Sequence, residues 1–148
     1  MSLKNYKKIK NSKNIVFYPK KKNKFYEVNS KLIQSIKTCA KKYKKNVFLC
    51  QHISPKDKFH NMIIFLWKGT TYSPHKHKKK EEIINIIEGK KRIKIFNLKG
   101  KILKQIVLDT KNNLVARINK DTFHSIDVLT KFVIYHEIKP GPFNLKNK

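Results

Sequence analysis

Arginine is almost missing from this chain. Of its 36 basic residues only Arg92 and Arg117 are arginines, and the rest are lysines. Arginine is the side chain suited to bidentate phosphate and base-edge contacts, so its scarcity argues against a dedicated nucleic-acid reader despite a net charge of +27. The lysines are spread along the chain rather than gathered on one helix face. Lys, Asn, Ile, Phe and Tyr are abundant together, as AT-rich codons would produce. The charge therefore reads as compositional drift, able to attract nucleic acid only nonspecifically through a lysine-rich surface. Cysteine is scarce too: Cys39 and Cys50 are too few and too loosely placed for a disulfide framework or a paired-cysteine metal site. Long apolar runs are absent, and the longest, "MIIFLW" at 62–67, is too short to span a bilayer. The opening residues lack the apolar segment of a secretory signal, and without arginine they do not suit a transit peptide. These absences together imply a reduced, cytoplasmic protein with no membrane span.

What is present suits one folded domain. The chain has 148 residues, 39% of them hydrophobic, with nine Phe and six Tyr, enough to bury a core. Residues 1–28 read as a basic lead, in which "NIVFY" (14–18) or "KFYEV" (24–28) could add an edge strand. Residues 29–45 carry the one helix signal. Asn29 or Ser30 can cap it, and Leu32, Ile33, Ile36, Cys39, Ala40 and Tyr43 recur at three-to-four spacing. From residue 46 to 144 the texture changes to nine short β-branched and aromatic runs separated by turn residues. Gly89 and Gly100 supply the positive φ that tight hairpins need. Many short antiparallel strands at this spacing predict an all-β sandwich or barrel.

Within that pattern, "GTTYSPHKHKKKEEIINIIEG" (69–89) holds the densest chemistry. Side chains alternate on a strand, so His75 and His77 share a face while Lys76 points away. A turn at 78–80 would start a neighbouring strand at Glu82, whose carboxylate then faces the same interior, with Glu81 outward. His124, on a late strand, can supply a third imidazole. Three imidazoles and a carboxylate suit one divalent transition metal, and iron, manganese, nickel and zinc all remain open on ligand type.

Gly69, His75, His77, Glu82 and Gly89 together reproduce the spacing G-x5-H-x-H-x4-E-x6-G, and in this the chain resembles the cupin superfamily. His124 takes the histidine of the second cupin motif in "NKDTFH", although Asn119 and Asp121 stand where proline and glycine are usual. The likeness extends to the WbuC-like cupins associated with bacterial O-antigen gene clusters. It includes the helix and basic stretch leading to His52, the entry "GTTYSPHKH", the pair Phe123-His124, and the ending Glu137, Lys139, Gly141, Pro142 and Phe143. The resemblance implies a double-stranded β-helix, or jelly-roll barrel, with one N-terminal helix. It implies a metal held by His75, His77, Glu82 and His124. His52 matches the upstream histidine of those proteins, and His60 stands where they often have glutamine, so both are candidate acid–base residues at the barrel mouth.

On this reading the protein is a metal-binding cupin acting on a small anionic or sugar-related molecule. The chemistry could be of isomerase, epimerase or oxygenase type. A non-catalytic ligand-binding or sensing cupin is the alternative, and a basic nucleic-acid-associated protein the third. A homodimer paired through sheet edges is expected, since the lead offers such an edge.

Overall fold

A computed structural model describes residues 2–143, so the expected barrel limit at residue 144 lies outside the described residues. The described residues form eleven strands and one α-helix. In chain order they are β1 (Tyr6–Lys10), β2 (Asn14–Pro19), α1 (Ser30–Tyr43), β3 (Asn46–Cys50), β4 (Phe59–Trp67) and β5 (Thr71–His75). Then come β6 (Glu82–Glu88), β7 (Lys91–Phe96), β8 (Ile102–Leu108), β9 (Val115–Ile118), β10 (Phe123–Val128) and β11 (Phe132–Pro140). Two sheets face each other, one of seven strands in the order β1-β2-β3-β4-β11-β6-β9 and one of four in the order β5-β10-β7-β8. This is a two-sheet arrangement of the kind the strand pattern predicts, and the jelly roll the resemblance implies.

The lead differs from expectation. "NIVFY" does become a strand, β2, but it lies inside the sheet between β1 and β3 rather than at its edge. "KFYEV" forms none: Phe25 is 71% exposed. The edge is β1, whose lysine-laden residues bury only Tyr6. β2 runs parallel to β3, the one parallel pair among the described strands. Parallel neighbours need a crossover connection, and α1 supplies it. Asn29 caps the helix by accepting from the Leu32 N–H, while Leu32, Ile36 and Ala40 form its buried stripe.

The seven-stranded sheet consequently has two apolar faces. On the outer face Val47, Leu49, Ile63, Phe65 and Ile134 pack with the α1 stripe. On the inner face Cys50, Met62, Ile64, Leu66, Val133 and Tyr135 meet Ile93, Ile126 and Val128 of the smaller sheet. Gly89 closes the β6–β7 turn at φ +83°, where a Cβ would stand 2.4 Å from the Phe132 carbonyl oxygen. Only glycine fits there.

Candidate metal centre

The histidines gather between the two sheets. His75 on β5 and His124 on β10 are register partners on antiparallel neighbours, with ring centroids 4.5 Å apart. The strand expected to carry both His75 and His77 ends at His75, and His77 lies just beyond it, before a turn at 78–79. Its ring still converges, 5.1 Å from that of His75 and 5.8 Å from that of His124. One ligand atom from each of the three rings lies within 4.8 Å of the others.

Backbone carbonyls set the rings. Nδ1 of His75 donates to the Ser73 carbonyl and Nδ1 of His124 to the Thr122 carbonyl, each at 2.8 Å. That assignment leaves each Nε2 as the donor atom for an ion, the arrangement usual for ligating imidazoles. Glu82 opens β6 on the facing sheet, 5% exposed. Its carboxylate oxygens lie 2.9 Å from His124 Nε2 and 3.7 Å from His77 Nε2. Burial works to raise the Glu82 pKa, but the His124 bond, Lys139 and His77 outweigh it and hold the carboxylate ionised. Burial likewise pulls His124 down, and the Glu82 bond and the Thr122 carbonyl reverse this, raising it. A cation can stand where the two groups share a proton, so the donor set fits a divalent transition ion. Glu81 turns outward, as the alternation predicts, to an ion pair with Arg117 at 2.8 Å.

The turn before His124 accounts for the departure from the usual motif. Asp121 adopts φ +61°, a left-handed conformation that aspartate tolerates better than most residues. It thus takes the place of the missing glycine. Its N–H donates to the His77 carbonyl at 2.9 Å, tying the two histidine segments together. Lys76 lies 3.5 Å from the Asp121 carboxylate, away from the rings.

His52 and His60 stack at 4.1 Å on the inner face of the larger sheet. Lys139 on β11 pairs in register with His60, and one step beyond the Ile138–Ile83 pair it stands opposite Glu82. A single row across the sheet thus runs His52, His60, Lys139, Glu82. Lys139, its partner Glu137 and the buried Lys91 have no role that the motif spacing alone implies. Strand phase is the signal that could have found them. Glu137 and Lys139 continue the inward series Val133, Tyr135, and Lys91 is in phase with Ile93. Cys50 also faces inward, and burial pushes its thiol up to about 12, which keeps it protonated near neutral pH. His136 points to the outer face, 2.6 Å from Asn61 Oδ1. There it lines an open groove of ≈ 430 Å³ between α1 and the sheet, on the opposite side from the imidazoles.

The two facing sheets make a jelly roll that brings three histidines within reach of one another. The chain belongs to the family described as a domain of unknown function (DUF6016), whose profile matches residues 28–108. No curated protein matches it. Among solved structures it is similar to the capsular polysaccharide assembling protein CapF from Staphylococcus aureus. The TM-score is 0.54 at 18% identity, over 64% of this chain and 26% of CapF. It is also similar to BH2720 from Bacillus halodurans, with a TM-score of 0.52 at 12% identity, over 60% of this chain and 66% of that one. The chain therefore spans about a quarter of CapF and about two thirds of BH2720.

Proposed function

We propose that the protein is a metal-binding cupin acting on a small anionic or sugar-related metabolite, with His75, His77, Glu82 and His124 holding one divalent transition ion. The observation that carries this is the set of three imidazoles with ligand atoms within 4.8 Å, two of them oriented by backbone carbonyls. When bound, an iron, manganese, nickel or zinc ion supplies a Lewis acid that polarises a ligand oxygen. The protein's own groups would orient the ligand and move protons. His52 Nδ1 lies 3.2 Å from the Asn61 carbonyl oxygen and 3.3 Å from the Asn61 nitrogen, so the Asn61 backbone fixes the ring in either tautomer and leaves Nε2 for the ligand. His60 Nε2 donates to the Pro55 carbonyl, which leaves Nδ1 as an acceptor. Burial, then His60, lowers His52 to about 4, and burial lowers His60 as well, so both rings stand neutral beside the ligand. Two likenesses support a sugar-related ligand: the WbuC-like ending Glu137 to Phe143, and the fold shared with a capsular polysaccharide assembling protein. A cytoplasmic homodimer belongs to the same proposal.

Elemental analysis of protein purified without added metal is the test. Wild type should carry close to one ion per chain, and His75→Ala should lose most of it, since a set of four ligands also loses its preorganised geometry. Lys76→Ala and Glu81→Gln should leave occupancy unchanged, while Glu82→Gln weakens it. A protein that holds no ion and takes up none sinks the proposal. Turnover in a screen of sugar nucleotides that is abolished by chelator would place the chemistry at the ion.

A further inference from the structure

Four charged side chains meet inside the barrel: Glu82, Glu137, Lys91 and Lys139. Lys91 is 1% exposed, and its ammonium stands 3.5 Å from the centre of the Tyr135 ring. Lys139 donates to Glu137 Oε1 at 2.7 Å, yet 18% of its side chain remains accessible. Burial works to lower Lys139, but Glu137, then Glu82, hold it as an ammonium. Of the two lysines, only Lys139 can meet an incoming molecule. It stands in the row between Glu82 and the stacked His52–His60 pair.

Charge counting shows what that molecule must be. Two carboxylates and two ammoniums cancel, and charges taken out of water are tolerated only when compensated. A divalent ion on neutral imidazoles leaves two positive charges in excess. A neutral sugar cannot cancel them, whereas an anion can. An ammonium has three donors, and Glu137 takes one of them. We infer that Lys139 anchors an anionic oxygen group, carboxylate or phosphate, of the small molecule bound beside the ion. This rests on the metal-binding reading above and narrows its ligand to an anion. Glu137 fixes the ammonium in place, and Lys91 adds its charge from below without contact.

Calorimetric titration of malonate and, separately, inorganic phosphate into cobalt-loaded protein tests this, with the visible absorption of cobalt as a second readout. Lys139→Met should keep its cobalt and bind the anion at least about tenfold more weakly, the loss typical of one hydrogen bond to a charged group. Lys139→Arg should restore most of the affinity, and Lys104→Met, on exposed β8, should change nothing. Since Lys139→Met leaves Glu137 unpaired, the double variant Glu137→Gln/Lys139→Met is measured beside it and should show the same loss. Binding of malonate alone assigns a carboxylate, and of phosphate alone a phosphate. Undiminished anion binding in both variants overturns the inference, as does binding of neither anion by the loaded wild type. If wild type takes up no cobalt, the metal reading fails. The inference then stands only if metal-free protein still shows Lys139-dependent anion binding, and otherwise falls with it.

Discussion

A histidine whose burial outweighs the carboxylate near it loses much of its basicity, and His52, with Asp57 beside it, is that case. Its ring is packed edge-on to Tyr18 at 5.7 Å and stacked on His60, with Cys50, Asp57 and Lys139 also facing it. Burial, then His60, holds its pKa down to about 4. In the unfolded chain a histidine takes up a proton near pH ~6.5. Between those values the unfolded state binds more protons than the folded one, so stability falls as pH drops through the window. Burial lowers His60, His77 and His136 as well, which acts in the same direction, and these outnumber His124, whose raised pKa acts against it. The melting temperature should therefore decline from pH 7 to pH 4. His52→Asn, whose amide oxygen can accept the Asn61 N–H, should flatten part of that decline. An unchanged slope in the variant would count against the assignment.

At the scale of elements, α1 ends on a residue poorly suited to its place. Lys44 follows the last turn at φ 49°, ψ 44°, a left-handed conformation that glycine occupies more readily. Lys44→Gly should raise stability by about 0.5–1 kcal/mol, read as a higher urea midpoint with an unchanged slope. The helix itself was legible because its stripe Leu32, Ile36, Ala40 repeats at helical spacing, and the nine strand runs after residue 46 were legible as short β-branched and aromatic runs between turn residues. β1 was not, since "YKKIK" buries a single side chain and shows no alternation. Nor was the parallel β2–β3 pair, because pairing direction is set by the α1 crossover and not by either strand's own pattern. The same contrast holds at the site. The histidines, Glu82 and the motif glycines stand at fixed spacing, whereas Lys91 is hidden by composition and Lys139 shows only as a letter of the closing motif, without a role. In a chain with 36 basic residues, a lysine that points inward looks like any other unless its phase along the strand is followed.

For the molecule as a whole, the charge of +27 is carried mainly by exposed lysines spread along the chain. Oligonucleotide binding should accordingly be weak, sequence-blind and lost steeply between about 50 and 200 mM salt. Tight, sequence-selective binding at physiological salt, measured by fluorescence anisotropy, would overturn this. No helix among the described residues is long and apolar enough to cross a membrane. The same lysines bear on pairing between copies: Lys7, Lys8 and Lys10 are exposed on the edge strand β1, where like charges would meet across a shared sheet. A dimer is thus better served by an edge other than the lead. The doubly covered strand β4 has a different consequence, one that concerns heredity. Phe65 and Ile63 belong to the helix side, Met62 and Ile64 to the barrel side. Losing one codon there would reverse the parity of every side chain beyond it, sending helix-side residues into the pocket and pocket residues under the helix. No substitution elsewhere could repair two interiors at once. Viable changes of length are therefore confined to stretches such as the polar loop at 109–113, and the β4 segment can evolve only by exchanging one letter for another.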